Sequence, residues 1–353
     1  MFLQTIKNPE VFHTSIPSIP MGKYAHVVIL RETNSFPLFQ TDQELNFARV
    51  SPGRVENGKI PAIISRVVMF KRKQTTPERL TGRELLRRYN MVSEEEGEDK
   101  TRYCEYNSEK FCKHCPDCIY YGFAIGQEGS ERSKVLVDSA FSLSDYDESH
   151  QAMTFNAPYE HGTMSKSGLT RSSFGEQDHV LPQIFFPSVI TVRDPTESEF
   201  IYVFNNILRT KRYGAQTTRT GTLENHIVAV IFTDGEIFSN LKLTQTLYDM
   251  LDRDDEGTIK KGPYQAARLV KKIETGLPGL LREDRVTAHL LIDGENLSAL
   301  IEEVGNLVTN ESTLVQVLRQ AYAECETYSE QYGAGKKAAE EASRSKNKAT
   351  KAK

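Results

Sequence analysis

Four of the five cysteines of this 353-residue chain lie in one short segment, CEYNSEKFCKHCPDC, with the spacing C-x7-C-x2-C-x2-C. A Cys-x2-Cys turn points two thiolates at one ion, and four thiolates complete the tetrahedral shell that zinc takes in structural sites. Bound zinc would also stabilise a segment that has little core of its own. The pattern therefore predicts a structural zinc site on Cys104, Cys112, Cys115 and Cys118.

Other metal and thiol chemistries fit parts of this cysteine pattern. His114 offers an alternative ligand to one cysteine, and the overlapping CKHC and CPDC motifs resemble redox pairs. C-x2-C-x2-C also occurs in iron–sulfur proteins, although the C-x3-C-P continuation of those proteins is missing here. No histidine is followed by x-Glu, as a zinc deaminase requires. Zinc is the favoured metal, an iron–sulfur cluster is the alternative, and Cys325 belongs to a helical apolar stripe instead.

A second segment, KRYGAQTTRTGT at 211–222, combines three basic residues, four threonines and two glycines with no acid. Arginine forks bind phosphate bidentately, threonine hydroxyls bind phosphate oxygens, and glycines let the backbone approach a ligand. The segment contains neither a Walker A loop nor a G-x-G-x-x-G fingerprint, so a mononucleotide site is not expected. Similar chemistry occurs in HGTMSKSGLTRSSFG (161–175) and FARVSPGR (47–54), and three such segments suit an extended single strand. Three ordinary solvated loops are the alternative interpretation.

The charge distribution restricts how such a strand is held. The net charge is −4, but the last 18 residues, from Lys336, contain seven basic and two acidic residues, which leaves −9 for the remainder. A polyanion must therefore bind a local groove, because the general field of the body repels it. The basic tail, 336–353, is predicted to be disordered. The N-terminus lacks the pattern of a signal peptide, and we expect a cytoplasmic protein without membrane contact.

The hydrophobic pattern predicts an α+β fold with a ferredoxin-like sheet and long polar insertions. Seven segments are predicted as strands: 24–31, 60–70, 134–143, 184–192, 200–207, 226–233 and 286–292. A capping box at Thr81 and Glu84 predicts the start of a helix. Further helices are predicted at 241–252, 264–275, 296–308 and 311–332.

The motif RYGAQTTRTGT before an apolar strand, together with the cysteine-rich segment and GTMSKSGLTRSSF, resembles the backbone subunit of type I-D CRISPR Cascade. That subunit belongs to the Cas-seven family of the RAMP superfamily, and the resemblance extends from about Ile16 to about Tyr332. It implies one domain, 1–335, with a modified RRM-like antiparallel palm. It also implies a zinc-binding insertion at about 91–118 and a thumb-like hairpin insertion at about 144–195.

The functional implication is a non-catalytic subunit of a ribonucleoprotein complex in antiviral defence. Copies would stack head-to-tail along a guide RNA (crRNA), which reads complementary target DNA, or target RNA, alongside other type I-D Cascade subunits. The implied RNA contacts of the 211–222 segment are Lys211, Arg212, Tyr213, Gln216, Thr217, Thr218, Arg219 and Thr220. Weaker candidates are Lys166, Ser167, Arg171, Arg49 and Arg54. The aromatic signature of an RRM is absent, so base stacking is not expected to be the main grip.

Two other functions remain open from the sequence. One is a RAMP-family endoribonuclease that processes guide RNA or cuts bound target RNA, with His161 and Lys166 as its acid–base pair. Some relatives cut target RNA through a loop aspartate, but nothing around Asp42 marks it as that residue. The other is a zinc-stabilised interaction protein that binds no nucleic acid.

Overall fold

The computed structural model describes residues 1–41, 44–54, 63–96, 100–108, 111–126, 129–154, 159–160, 165–166, 169–170, 175–255 and 259–333. The helices are α1 (Lys71–Arg88), α2 (Pro116–Tyr121), α3 (Glu197–Arg209), α4 (Asn240–Asp249), α5 (Ala266–Asp284), α6 (Gly294–Thr309) and α7 (Glu311–Tyr332). A short 3-10 turn, Pro9–Val11, precedes them. None of the helices in the described ranges has the length and apolar character that a bilayer crossing requires.

The strands fall into one large sheet and several small ones. They are β1 (Tyr24–Thr33), β2 (Gln40–Thr41), β3 (Glu44–Leu45), β4 (Phe47–Val50), β5 (Ile64–Met69), β6 (Ser93–Glu96), β7 (Lys100–Tyr103), β8 (Phe123–Ile125), β9 (Gly129–Glu131), β10 (Val135–Val137), β11 (Ala140–Phe141), β12 (His150–Thr154), β13 (Ser165–Lys166), β14 (Leu169–Thr170), β15 (Glu176–Val180), β16 (Phe185–Arg193), β17 (Leu223–Thr233) and β18 (Ala288–Ile292).

The large sheet has the order β10-β16-β1-β17-β18, and every neighbouring pair is antiparallel. In its first four strands, α1 lies in the chain between β1 and β10, and α3 lies between β16 and β17. This is the strand order of a β-α-β-β-α-β unit, to which β18 adds a fifth strand. The prediction of a mixed helix and strand fold on an antiparallel sheet is confirmed.

Helices cover both faces of the large sheet, which explains why its central strands are almost continuously apolar. On one face Val27 and Ile190, neighbours across β1 and β16, pack in the same cluster as residues of α3, α6 and α7. On the other face Val28 and Ile231 pack with α4 and α5. A strand buried on both sides has no solvated face to fill with polar residues.

The segment 200–207, predicted as a strand, is helix α3, and that prediction was wrong. Its aromatic and β-branched residues favour a strand by composition, but Phe200, Val203, Phe204 and Ile207 follow the i, i+3, i+4, i+7 spacing of a helix face. Thr196 caps the helix by accepting a hydrogen bond from the backbone N–H of Glu199 at 3.2 Å. The N-cap at Thr196 and the helical spacing of the apolar residues, rather than the residue types, determine that this segment is a helix.

Two further boundaries differ from the predictions. Helix α1 begins at Lys71 rather than at Thr81, whose hydroxyl donates to the carbonyl of Pro77 inside the helix. The predicted thumb-like insertion, 144–195, includes β16, which is a central strand of the large sheet, so any insertion ends before β16. Within the predicted insertion, β12 pairs with β15, and the short pair β13–β14 lies between these two strands in the chain, as in a long hairpin.

Candidate functional site

The acid-free segment 211–222 forms a loop that connects α3 to β17 and lies against the chain at 36–38. The backbone N–H of Ala215 donates to the carbonyl of Leu38 at 2.7 Å, and that of Gly221 donates to the carbonyl of Phe36 at 3.1 Å. The loop ends with a bridge between Arg212 and Thr222. Backbone hydrogen bonds at both ends therefore hold the loop on the folded body.

Two glycines of this loop are required by close backbone contact. Gly214 has a φ of +104°, and a Cβ atom there would lie 2.4 Å from the carbonyl oxygen of Leu38. A Cβ atom on Gly221 would lie 2.4 Å from the backbone nitrogen of Phe36. No side chain fits either distance, so the glycines let the loop and the 36–38 segment pair directly.

Six of the eight predicted contact residues in the loop are exposed: Lys211, Arg212, Gln216, Thr217, Thr218 and Arg219. The guanidinium of Arg212 donates to the carbonyl of Thr220 at 2.7 Å, and that of Arg219 donates to the side-chain oxygen of Gln216 at 3.4 Å. These contacts orient the two arginines, and a guanidinium has five N–H donors, so the one bond of Arg212 to Thr220 uses only part of its donor capacity. The exposed side of the loop is cationic and rich in hydroxyl groups.

Tyr213 and Thr220 are fully buried, which corrects their prediction as side-chain contacts to a ligand. The hydroxyl of Thr220 donates to the carbonyl of Tyr213 at 2.6 Å and accepts from the backbone N–H of Leu38 at 3.1 Å. Tyr213 points into the protein, where its hydroxyl donates to the carboxylate of Glu78 at 3.0 Å. Both residues hold the loop in shape from inside.

Tyr213 reaches a buried polar network that joins the loop to the large sheet and to α1. At its centre, Arg31 of β1 donates to Glu78 of α1 at 2.9 Å and to Asn225 of β17 at 2.8 Å. Asn225 donates to the hydroxyl of Tyr213 at 2.8 Å, and the Arg31 guanidinium lies 4.7 Å from the centre of the Tyr213 ring. Ser188 of β16 accepts from the Nε of Arg31 at 3.1 Å. We call these five residues the Arg31 network.

The electrostatics of the Arg31 network follow from its burial, since the side chains of Arg31 and Glu78 are both 0% exposed. Burial raises the pKa of Glu78, and the neighbouring Arg31 charge opposes that rise. Burial also raises the pKa of Tyr213, so its hydroxyl stays a neutral donor. Sequence reasoning missed this network; its signal was a lone arginine at the end of the apolar run YAHVVIL.

The structure describes three of the five weaker candidates of the predicted site. Arg49 is exposed on β4. Arg54 pairs with Glu283 of α5 at 2.6 Å and also contacts Thr246 of α4, so the structure engages it with those helices. The backbone of Lys166 lies in the β13–β14 pair. Ser167, Arg171, His161, Asp42 and the tail 336–353 lie outside the described residues.

The four cysteines of the predicted metal site come together. Their sulfur atoms all lie within 4.8 Å of one another, with Sγ–Sγ distances of 3.6 Å from Cys104 to Cys118 and 3.9 Å from Cys112 to Cys118. Zinc–sulfur bonds of about 2.3 Å in a tetrahedron place sulfurs about 3.8 Å apart, so the donor set fits a metal ion. His114 instead makes an edge contact with the ring of Tyr322, and Cys325 is buried in α7.

Backbone and cationic donors surround these sulfurs. The N–H of Cys112 donates to the sulfur of Cys104 at 3.3 Å, and both terminal nitrogens of Arg83 approach the same sulfur at 3.2 Å. Hydrogen bonds from the other three cysteines, aided by the Arg83 charge, lower the pKa of Cys104. Arg79 and Arg83 also pair with the buried carboxylate of Asp117, at 2.8 and 3.2 Å. The Arg83 guanidinium and the backbone N–H of Cys112 therefore favour the thiolate of Cys104, the form that binds metal.

A third group of polar side chains, which sequence reasoning missed, lies where β1 and β17 approach the 211–222 loop. Glu32 and Glu224 are direct partners across the two strands, and His226 pairs with Glu32 at 2.8 Å. One ligand atom from each of the three lies within 4.8 Å of the others. Only the register of the strands brings these residues together, so no sequence motif could have shown them.

Comparison with known proteins identifies the family. The family model described as "Csc2 Crispr" matches residues 11–318, so the chain belongs to the Csc2 family of CRISPR proteins, and the resemblance to Cas-seven backbone subunits is confirmed at the level of the family. The crystal structure of Thermofilum pendens Csc2 is similar in fold, with a TM-score of 0.56, 14% identity, and coverage of 91% of this chain and 94% of that chain.

Two further structures show weaker likeness. One, titled "CRISPR RNA-guided surveillance complex", gives a TM-score of 0.42 at 10% identity over 75% of this chain and 87% of that chain. The other, the same kind of complex in a pre-nicking state, gives 0.46 at 9% identity over 77% and 93%. No curated protein matches the chain.

Glu78→Gln should destabilise the protein and loosen the 211–222 loop. The change leaves the charge of Arg31 buried without its carboxylate, which costs about 3–5 kcal/mol when a buried pair loses one partner. Urea unfolding should show a lower midpoint, and trypsin should cleave faster at the exposed residues Lys211, Arg212 and Arg219. Glu84→Gln is the matched control, because Glu84 is exposed on the same helix. Equal effects of the two substitutions would contradict the role of the network.

Proposed function

We propose that this protein is the non-catalytic, guide-RNA-binding backbone subunit of a type I-D CRISPR effector complex. The observation that carries the proposal is the 211–222 loop: exposed, cationic, free of acidic residues and anchored on the large sheet in a member of the Csc2 family. A rigid scaffold that presents one cationic loop is typical of a binding site. The family resemblance indicates that the ligand is a crRNA.

In this proposal the loop grips the sugar–phosphate backbone and leaves the bases to pair with target nucleic acid. Arg212 and Arg219 bind phosphate oxygens, while Gln216 and the hydroxyls of Thr217 and Thr218 add neutral donors. Because the contacts go to phosphate, one protein serves every guide sequence, and complementary DNA is read by the guide. Further copies of the chain and the other Cascade subunits are the proposed protein partners. The hairpin-like β12–β15 region is the proposed thumb, and the large sheet the RRM-like palm.

Arg219→Ala should weaken binding to single-stranded RNA of any sequence by about 1–2 kcal/mol, or roughly five- to thirtyfold. The slope of log affinity against log salt should flatten by about 0.7, because one phosphate contact is lost. Thermal stability should stay unchanged, since the side chain is exposed. Arg319→Ala is the control, because Arg319 is exposed on α7 and should leave RNA affinity unchanged. An Arg219→Ala protein that unfolds while keeping its RNA affinity would disprove the role of the loop in binding.

The endoribonuclease alternative has one observation in its favour, the His226–Glu32 pair beside the loop. A histidine held by a carboxylate is a common acid–base arrangement. Incubation of the protein with labelled RNA, with and without divalent metal, distinguishes the two functions. Binding without cleavage supports the backbone subunit. Cleavage that disappears in His226→Ala supports the nuclease. If the protein neither binds nor cleaves the RNA, the result supports a protein that binds no nucleic acid.

We further propose that the metal on the four cysteines is zinc and that it is structural. Four thiolates fill a tetrahedral shell and leave no position for a reactive water. Cys104, Cys112, Cys115 and Cys118 would hold the ion, and its contribution would be to fold the segment that packs between α1 and α7.

Cys115→Ser should remove the zinc and expose the region 100–120 to protease, because Cys115 is one of only four ligands. Cys325→Ser is the matched control, since Cys325 is equally buried but lies outside the cluster. Elemental analysis of protein purified without chelator should give one zinc per chain. Iron with sulfide, or a metal-free protein with the same protease resistance, would show that the assignment is wrong.

RNA length should set the size of the oligomer. Head-to-tail stacking uses two different surfaces of each copy, and such a contact does not have to close into a ring. Mass measurement of complexes formed on RNAs of increasing length should show a stepwise gain of protein copies. A single fixed oligomer on every RNA would contradict the filament.

A further inference from the structure

Phe47 is an exposed aromatic residue on the edge strand of a small sheet. It lies on β4, the outer strand of the sheet β11-β5-β4, and 55% of its surface is exposed. Buried residues of β5 and β11 in this small sheet pack in one cluster with Phe39, Phe186 and Leu223. The exposed ring is therefore an outward extension of a well-packed region.

Two further rings support Phe47. The ring of Tyr146 lies 5.3 Å from that of Phe47 at 56°, and the ring of His150 lies 4.1 Å from that of Tyr146 at 39°. Tyr146 is fixed by its backbone N–H, which donates to Ser65 at 2.7 Å, and its carbonyl bonds the Nδ1 of His150 at 2.8 Å. We call Phe47, Tyr146 and His150 the aromatic step. The ring of Phe47 contacts that of Tyr146, which contacts that of His150, and the Phe47 ring is exposed to solvent.

The aromatic step is continuous with the 211–222 loop through one intervening segment. Leu38 forms a bridge with Gly214 of the loop, and on the other side the N–H of Asn46, next to Phe47, donates to the carbonyl of Phe39 at 2.9 Å. Hydrogen-bonded neighbouring chains lie about 4.8 Å apart. Two such spacings put the backbone of Asn46, next to Phe47, on the order of 10 Å from that of Gly214, which is close enough for one bound strand to contact both.

The charges around the aromatic step favour a base over a phosphate. Burial raises the pKa of Tyr146, and the carboxylates of Asp178, Asp147 and Glu44 raise it further, so acidic groups face this ring. They would repel a phosphate but not the neutral ring of a nucleobase. Arg49 is exposed two residues after Phe47, on the same side of β4, and supplies a cation for the adjoining phosphate.

We infer that the aromatic step stacks on an unpaired base of the strand that the 211–222 loop grips, with Phe47 as the stacking face. The inference rests on the proposed RNA-binding function and names a second contact for the same ligand. Aromatic–base stacking tolerates any base, because every base has a π-face, so it is compatible with guides of any sequence. The phosphate grip of the loop and the stacking of Phe47 would then act on neighbouring nucleotides.

The test uses the absence of tryptophan from the chain. Phe47→Trp introduces a single indole, whose fluorescence should be quenched by oligouridylate and not by an abasic ribose-phosphate strand of the same length. Tyr332→Trp is the control, because Tyr332 is 51% exposed at the end of α7, and its fluorescence should not respond to either strand. Phe47→Ala should weaken oligouridylate binding roughly fivefold to hundredfold, and Phe47→Tyr should restore it.

The outcomes separate the inference from the function on which it rests. RNA binding without quenching of Phe47→Trp, or Phe47→Ala protein with unchanged affinity, overturns the stacking contact and leaves the loop proposal standing. If the unmodified protein does not bind RNA, both the stacking contact and the loop proposal are overturned. A Phe47→Ala protein that loses self-association in sedimentation without RNA, while its RNA affinity is unchanged, also overturns the inference, because the ring then serves a protein contact. Phe47 is largely exposed, so these substitutions should not disturb the fold.

Discussion

The buried ion pair between Arg31 and Glu78 is the constraint on which the rest of the site depends. Neither side chain contacts solvent, and the charge of each would be costly to bury alone. The structure satisfies the guanidinium with Glu78, Asn225 and Ser188, and it seats the ring of Tyr213 against its face. Each of these partners comes from a different element, so the complete set of contacts forms only when α1, β16, β17 and the 211–222 loop are all in place. Any arrangement of these elements that separated the pair would leave a buried charge uncompensated, which is strongly unfavourable.

Helix α1 extends that constraint to the cysteine cluster. Arg79, the residue after Glu78, projects about 100° further around the helix and pairs with Asp117. One turn further, Arg83 reaches both Asp117 and the sulfur of Cys104. Four thiolates around a divalent ion carry a net charge of −2, and a buried site needs that charge offset. Arg79 and Arg83 carry two positive charges, and one of these balances the carboxylate of Asp117, so the pair offsets the thiolate charge in part. Helix α1 therefore contacts both the base of the cationic loop and the cysteine cluster that is proposed to bind metal.

The sequence was informative where the chemistry is local and misleading where partners are remote. The four cysteines are close in the chain, and their spacing alone predicted the cluster that the structure forms. Tyr213 and Thr220 were misassigned because their polar groups are satisfied by Glu78 and by the backbone of residues 36–38, which are far away in sequence. For the same reason the pairing of Arg54 with Glu283 was invisible. At 200–207, residue type suggested a strand, while the helical period and the cap at Thr196 determined the fold.

The placement of charge explains why the loop has to be anchored on the folded body. The body outside the basic tail carries a net charge of −9, which repels an anionic ligand. The cations of the 211–222 loop oppose that repulsion and attract such a ligand only at short range, because salt screens longer interactions. A mobile loop would spread its few positive charges over a volume in which the body's acidic groups dominate. Anchoring by Gly214, Gly221, Tyr213 and Thr220 keeps Arg212 and Arg219 on one small exposed surface. The two buried side chains that sequence reasoning assigned to the ligand are thus what gives the exposed ones their position.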